Sequence, residues 1–579
     1  MRNFLLGLLS GIVLCVLAAF IFIFILFRIA ASFGERPVEI AGGSTLIFNL
    51  EGEVPEKAPI ELGLPFLRDQ PSLTVEQVWE NFKKAAADPR IKAIVFEPRN
   101  LRIGWGKLQE IRQEMLDFRK SGKPLVAFLR GAGAREYYLA TAADRIYMTP
   151  EDLLDVKGLR VEGLFLKNTM SKLGVRVDIV HAGKYKDAGD LFTRTSMSPE
   201  THEVLDAILD QYFGDLVEVI AAGRQKDRQQ VRAAIDNGPF FGRQALDAGL
   251  VDALGFEDLA AGDLAKRLGQ RELVKTSIKS YARVPAASIG AAGGARIAFI
   301  VGEGEIARGD DSNTLGNTSS IRSGAFTKLL HDVQNDSNIK GAILRVDSPG
   351  GDGIASDDIL YAAKSLSRTK PVVISMGDVA ASGGYFISMT GDPVLAYPNT
   401  LTGSIGVILA RFDLHGLYDK IGIDKQVLKR GQYADLDSDY EPLTGKNLEK
   451  LTREVDHFYD AFVSRVAEGR RRPAAQIEPI AQGRVWTGAQ AKQNGLVDNL
   501  GGIDAAIELI RQRAHIGSSE KVTLVVYPPK RSLWDALLAR GDENAAIEMK
   551  LKSLFGGLPI HTLSQGGFLK LMPYTIRVQ

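Results

Sequence analysis

Asp88-Pro89-Arg90-Ile91-Lys92 returns 248 positions later as Asp336-Ser337-Asn338-Ile339-Lys340, and the interval recurs along the chain. Gly183-Lys184-Tyr185-Lys186-Asp187 stands 248 positions before Gly431-Gln432-Tyr433-Ala434-Asp435, as Asp144 does before Asp392. At 246 positions, Phe240-Phe241-Gly242-Arg243-Gln244-Ala245 is echoed by Trp486-Thr487-Gly488-Ala489-Gln490-Ala491, and Gly249-Leu250-Val251-Asp252 by Gly495-Leu496-Val497-Asp498. Several motifs at nearly one interval define a tandem duplication of a unit of about 240 residues.

Within each unit apolar runs alternate with amphipathic ones. Strands are expected over Ser44–Leu50, Ile91–Phe96 and Pro124–Leu129, with helices over Val75–Ala87 and Lys107–Ser121. The second unit repeats the order: strands Ile297–Val301, Gly341–Val346 and Pro371–Ser375, helices Ala325–Gln334 and Ser356–Ser367. Such alternation predicts an α/β fold with a mainly parallel sheet in each unit. Two further helical runs, Asp206–Gly223 and Lys446–Gly469, hold matching places as amphipathic arms. The expected organisation is 1–28 anchor, 29–44 linker, 45–290 first repeat, 295–526 second repeat and 527–579 C-terminal extension.

The anchor is Phe4–Phe27, an uncharged, almost wholly apolar stretch closed by Arg28 and long enough to span a bilayer once. Signal peptides usually have a shorter apolar region, so retention is preferred to cleavage near Ala30-Ala31-Ser32. A net charge of +1 gives no bulk attraction for nucleic acid. The single cysteine, Cys15, excludes an intramolecular disulfide, and the seven histidines show no metal-ligand spacing. No metal or cofactor is expected. The extension holds one expected helix, Leu533–Arg540, a second over Ala545–Leu554, and apolar residues at Gly556–Leu558 and Phe568–Met572 suited to pack on the body or touch lipid.

Comparison of the two copies locates the chemistry. The second carries Gly377-Asp378-Val379-Ala380-Ala381-Ser382-Gly383-Gly384-Tyr385 after an apolar strand, which sets Ser382 in a small-residue turn before a helix. Helix-start N–H groups suit an oxyanion. The first copy has Ala134 in place of Ser382, and Arg135 and Glu136 in place of the glycines. Likewise Ser348-Pro349-Gly350-Gly351, able to turn sharply and point N–H groups outward, becomes Asn100-Leu101-Arg102-Ile103. Lysine shows the reverse, with Lys186 in the first copy and Ala434 in the second. A free serine hydroxyl needs a base, and a lysine held neutral by burial serves. Complementary loss is what one composite site would leave. Lys184 is the runner-up base and His181, in or beside a strand, a rival. Small residues around Ser382 suggest pockets for modest apolar side chains.

Ser348–Gly351, Gly377–Tyr385, Leu401–Val407, Gly183–Lys186 and Trp486–Ala491, in that setting, resemble the SppA (protease IV) signal peptide peptidases in their long, duplicated, membrane-anchored bacterial form. The resemblance covers residues 1 to about 525. It implies a ClpP/crotonase-like fold in each copy, Ser382 as nucleophile, Lys186 as general base, and the N–H groups of Gly383 and of Gly350 or Gly351 as oxyanion donors. It further implies a homotetramer on the bacterial inner membrane, its body in the periplasm, degrading cleaved signal peptides. The extension beyond residue 527 and Asp352-Gly353 depart from the family pattern. Two rivals remain: a crotonase-like CoA-ester enzyme, which would not require Ser382, and an inactive membrane scaffold.

Overall fold

The computed structural model describes residues 39–58, 73–310, 320–529 and 568–572, with Gly11, Leu17 and Ile21 as isolated positions. Among the elements of the first repeat are β1 (Ser44–Glu51), α1 (Val75–Ala87), β2 (Ile91–Arg99), α2 (Trp105–Arg119), β3 (Leu125–Leu129), α3 (Ala134–Ala140), β4 (Arg145–Met148), β5 (Arg176–Ala182), α4 (Pro199–Arg224), β6 (Ala253–Leu254) and β7 (Val274–Ser277). The second contains β8 (Ala295–Glu303), β9 (Glu305–Ala307), β10 (Ser320–Arg322), α5 (Ser323–Asn335), β11 (Ile339–Ser348), β12 (Gly350–Asp352), α6 (Gly353–Thr369), β13 (Val372–Ala381), α7 (Gly383–Ile387), β14 (Val394–Ala396), β15 (Leu401–Gly403), β16 (Val407–Asp413), α8 (Gly445–Arg470), β17 (Val485–Thr487), α9 (Ile503–Arg513) and β18 (Val522–Tyr527). A last strand, β19 (Leu569–Leu571), belongs to the C-terminal extension.

Helix α1 begins where the sequence predicts because Thr74 and Gln77 form a reciprocal capping box. Strand β2 is buried from Ala93 to Pro98, as expected of a parallel strand covered on both faces. The first repeat forms a parallel sheet in the order β7-β1-β2-β3-β4-β6. In the second, β18-β8-β11-β13 repeats that order, β14 pairs with β13, and β15 and β17 extend the edge.

The duplication reaches single hydrogen bonds. Arg224 clamps Asp252 and the Gly249 carbonyl, while the Tyr137 hydroxyl donates to the Leu250 carbonyl. Arg470 clamps Asp498 and the Gly495 carbonyl, and Tyr385 donates to the Leu496 carbonyl.

A third sheet, β10-β9-β12-β19-β16-β5, joins the copies. Strand β5 of the first repeat lies antiparallel to β16 of the second, from Arg176↔Asp413 to Ala182↔Val407. Between β12 and β16 sits β19, so Phe568–Met572 packs into the body rather than on lipid. The expected anchor Phe4–Phe27, apart from its three isolated positions, and the expected helices Leu533–Arg540 and Ala545–Leu554 lie outside the described residues, as does Gly556–Leu558. Among the described residues no helix is long and apolar enough to cross a membrane.

Candidate active site

The expected strand Pro371–Ser375 runs on to Ala381, because the Asp347 carboxylate takes the Val379 N–H at 2.9 Å and β15 pairs with Val379–Ala381. The strand delivers Ser382 into a left-handed backbone, φ 54° and ψ −115°, fastened by its N–H to the Gly403 carbonyl at 2.8 Å. Non-glycine residues are costly there, by about 1–3 kcal/mol, and such positions cluster at functional sites. Helix α7, which follows, has only five residues, so its dipole contributes less than the sequence implies. Ser382 is fully buried, with β19 laid in the adjoining sheet.

The loop after β5 brings Lys186 to it. Tyr185 N–H bonds the Gln482 carbonyl at 2.7 Å, and Lys184 N–H the Gln482 side chain at 3.1 Å, so the second repeat holds the first repeat's loop in place. Nζ of the fully buried Lys186 lies 2.9 Å from Ser382 Oγ, 2.9 Å from the Ser404 carbonyl and 2.9 Å from Ser404 Oγ. Burial pushes the Lys186 ammonium well below its ordinary range. Lys184 is half exposed and faces Glu200 at 3.6 Å, and the exposed His181 has Nδ1 3.2 Å from the Gly183 carbonyl. Neither touches Ser382.

The glycines converge on the same spot. Gly350, at φ 99°, has no room for a side chain: a Cβ there would fall 2.0 Å from the Lys570 carbonyl oxygen and 2.6 Å from the Gly383 nitrogen. Gly351 pairs with Lys570 in the β12–β19 ladder. The Gly350 N–H donates to Ser348 Oγ at 3.2 Å. In the first copy the matching place is filled: the Glu136 carboxylate accepts from the N–H groups of Leu101 at 2.6 Å and Gly133 at 3.0 Å.

Three groups of the site escaped sequence reasoning. Ser404 lies inside Leu-Thr-Gly-Ser, where its hydroxyl resembles a turn residue. Lys107 crosses from α2 to meet Asp347 at 2.7 Å, beside Glu56 at 3.7 Å, while its N–H and that of Gly104 bond Asp378. Burial and the nearby Asp347 push Asp378 up to about 6, against Lys107. The third is Lys570, from the extension.

A duplicated α/β chain with a buried serine and lysine in contact where the copies join has the makings of a serine-type peptidase. The sequence profile of Peptidase family S49 matches it twice, over residues 117–271 and 364–517. It is 36% identical to "Serine protease SPPA, chloroplastic" of Arabidopsis thaliana over 90% of this chain and 76% of that one. It is 32% identical to "Protease 4" of Salmonella typhi over 73% of this chain and 69% of the relative. For "Protease 4" of Haemophilus influenzae the identity is 31%, over 74% and 72%. The chain belongs to peptidase family S49, in its duplicated form, and is a serine-type peptidase.

Proposed function

We propose that the protein is a membrane-anchored endopeptidase that uses a Ser382–Lys186 dyad to degrade cleaved signal peptides and other short, extended peptides. The observation that carries this reading is the 2.9 Å contact between Lys186 Nζ and Ser382 Oγ in a fully buried setting. A neutral lysine takes the Ser382 proton as Oγ attacks a peptide carbonyl. The Gly383 N–H, with that of Gly350 or Gly351, receives the oxyanion. The lysine then returns the proton to the leaving amine and activates a water that releases the acyl group. Each repeat has a ClpP/crotonase-like fold in this reading.

The signal-peptide substrate comes from the family resemblance, and the anchor from Phe4–Phe27. The catalytic body then stands on the periplasmic side of a bacterial inner membrane. Assembly as a homotetramer is supported by an unmatched half of the inter-repeat joint. Strand β5 pairs with β16, yet the segment matching β5, 424–430, is exposed and in no strand, with Leu428 95% exposed. Its expected partner, the first-repeat segment 159–165 that matches β16, carries the exposed Leu164. Joining 424–430 of one subunit to 159–165 of the next is a head-to-tail contact, which forms a ring when its rotation closes.

A fluorophosphonate probe tests the reading on the full chain in detergent. It should label the wild type at Ser382, fail on Ser382→Ala, and label Lys186→Ala at least about 100-fold more slowly. A synthetic signal peptide should be cleaved by the wild type alone. Labelling of Lys186→Ala at the wild-type rate would refute the dyad.

A further inference from the structure

The amine that touches Ser382 Oγ stands at the end of a flexible stem, and a neutral amine is not aimed by an ion pair. Its position depends on how the backbone on either side of it is held. On one side is the loop that carries Lys186. On the other is Ser404, whose carbonyl and hydroxyl oxygens each lie 2.9 Å from Lys186 Nζ. Both meet one turn of the second repeat, Gln482-Gly483-Arg484. The Tyr185 N–H bonds the Gln482 carbonyl, the Gly483 N–H bonds the Ile405 carbonyl at 2.7 Å, and the Ser404 N–H bonds the Arg484 carbonyl at 2.7 Å. The approach is close enough to need glycine. A Cβ on Gly483, at φ 76°, would fall 2.7 Å from the Lys186 nitrogen, and one on Gly183, at φ 108°, would fall 2.6 Å from the Gln482 carbonyl carbon.

The Arg484 side chain continues the same contact. Its guanidinium carbon lies 4.9 Å from the centre of the Tyr185 ring and 4.5 Å from that of Trp486, so it bridges the residue before Lys186 and strand β17. Trp486 is itself fixed: its Nε1 donates to the Ile480 carbonyl at 2.8 Å, and its main chain pairs with Thr402, two residues before Ser404. At its tip Arg484 bonds one carboxylate oxygen of Glu203 on α4, and the Tyr185 hydroxyl donates to the other at 3.2 Å. A planar guanidinium stacks on rings while it bonds a carboxylate, which a lysine ammonium does not reproduce. The internal control points the same way. The interval that matches Trp486 with Phe240 puts Gly238 in the place of Arg484, just as the matching loops put Ala434 in the place of Lys186.

We propose that Arg484 is a positioning residue for peptide hydrolysis: its carbonyl holds Ser404 and its guanidinium holds Tyr185, which together fix the aim of Lys186 Nζ at Ser382 Oγ. This rests on the Ser382–Lys186 reading above. Arg484 acts through Lys186, so its loss costs rate and leaves substrate affinity alone. A misplacement of about 1 Å in a group that must take a proton costs on the order of 100-fold. The ring stack carries more of the effect than the ion pair, because Glu203 is half exposed and its charge is screened by water.

The test is a double-mutant cycle on the full chain in detergent, read by kcat and KM for a synthetic signal peptide and by the rate of fluorophosphonate labelling of Ser382. Arg484→Leu keeps the main-chain bond to Ser404 and removes the guanidinium. It should lower kcat and the labelling rate about 10–100-fold, with KM within about twofold of wild type. In a Lys186→Ala background the same substitution should change labelling by less than about twofold, because the group it aims is gone. Arg484→Lys keeps the charge toward Glu203 and loses the stack, and should recover less than about half of the lost rate. Tyr185→Leu removes the ring from the other side and should lower kcat at least about fivefold with KM unchanged. Wild-type kcat in folded Arg484→Leu, or in Tyr185→Leu where Arg484→Leu does not fold, would overturn the assignment. So would an equal loss of labelling with and without Lys186, or a loss carried by KM. Full rate in Arg484→Lys would overturn the role of the stack. Labelling of Lys186→Ala at the wild-type rate would instead strike the dyad reading itself, and the proposal with it.

Discussion

Lys107 of the first repeat places its ammonium 2.7 Å from the carboxylate of Asp347, the residue that leads into Ser348-Pro349-Gly350-Gly351 of the second. Asp347 in turn takes the Val379 N–H, three residues before Ser382. One ion pair therefore ties α2 to both the glycine loop and the strand that presents the serine. Buried Glu56 and the partly exposed Glu303 and Asp378 complete the cluster. Around it Arg345, fully buried, bonds Glu56 at 2.8 Å and Glu110 at 2.5 Å. The copy that lost the serine thus supplies Lys186 and also much of the frame that holds the glycines in place.

Breaking that frame should cost both stability and rate. Lys107→Met removes one partner and leaves buried carboxylates uncompensated, a change worth about 3–5 kcal/mol. Urea unfolding should show a loss of that size, with slower probe labelling of Ser382. The double variant with Asp347→Asn should recover part of the stability, since it removes the orphaned charge. A double-mutant cycle showing no coupling would mean the pair carries no such load.

Lys186 offers a test of sign. Burial alone depresses its pKa, so folding disfavours its charged form. Stability should be fully present above the ordinary lysine range and fall as pH drops toward the depressed value, staying lower beneath it. Lys186→Met should therefore abolish hydrolysis and raise stability at neutral pH, by about 0.5–2 kcal/mol. The same depression sets the activity profile. Labelling of Ser382 should rise with pH through the lowered lysine pKa and then level off, and calorimetry with stopped-flow labelling checks both.

Ser404 receives two of the three contacts of Lys186 Nζ and holds its own left-handed backbone, φ 51°. Ser404→Ala keeps the carbonyl acceptor and removes the hydroxyl. The lysine should remain buried but less well aimed, lowering kcat about 10–100-fold with KM little changed. An equal rise in KM would indicate instead that Ser404 acts on substrate.

The sequence made the proposed dyad legible for a particular reason: each copy lacks one of its two residues. Ala134 in the place of Ser382, and Ala434 in the place of Lys186, single out the two residues proposed to be catalytic. Helix α1 was equally legible, because its capping box is local. The rest depends on contacts far along the chain. Strand β13 outruns its apolar stretch since Asp347 and β15 pair its second half. Lys107 in sequence looks like an ordinary exposed helix lysine, and only the fold surrounds it with carboxylates from four segments. Lys570 sits in an extension with no counterpart in the first repeat, so no internal comparison could single it out.

The duplicated arginine latches make the last prediction, with its own control. Arg470 clamps Asp498 as Arg224 clamps Asp252, each with a shortest contact of 2.6 Å, and each steadies a segment that accepts a tyrosine hydroxyl. The tyrosines differ in what they adjoin. Tyr385 lies in α7, three residues from Ser382, while Tyr137 lies in α3 beside the vacant position Ala134. The aspartates are partly exposed, so losing either arginine should cost about 1–3 kcal/mol, less than a fully buried pair. Arg224→Ala should lower the unfolding midpoint while folded enzyme keeps its kcat. Arg470→Ala should lower the midpoint comparably and also reduce kcat, because α7 then loses the support that fixes the Ser382 turn. Equal kcat in the two variants, measured where both are folded, would show that the latch stabilises each repeat without positioning the serine.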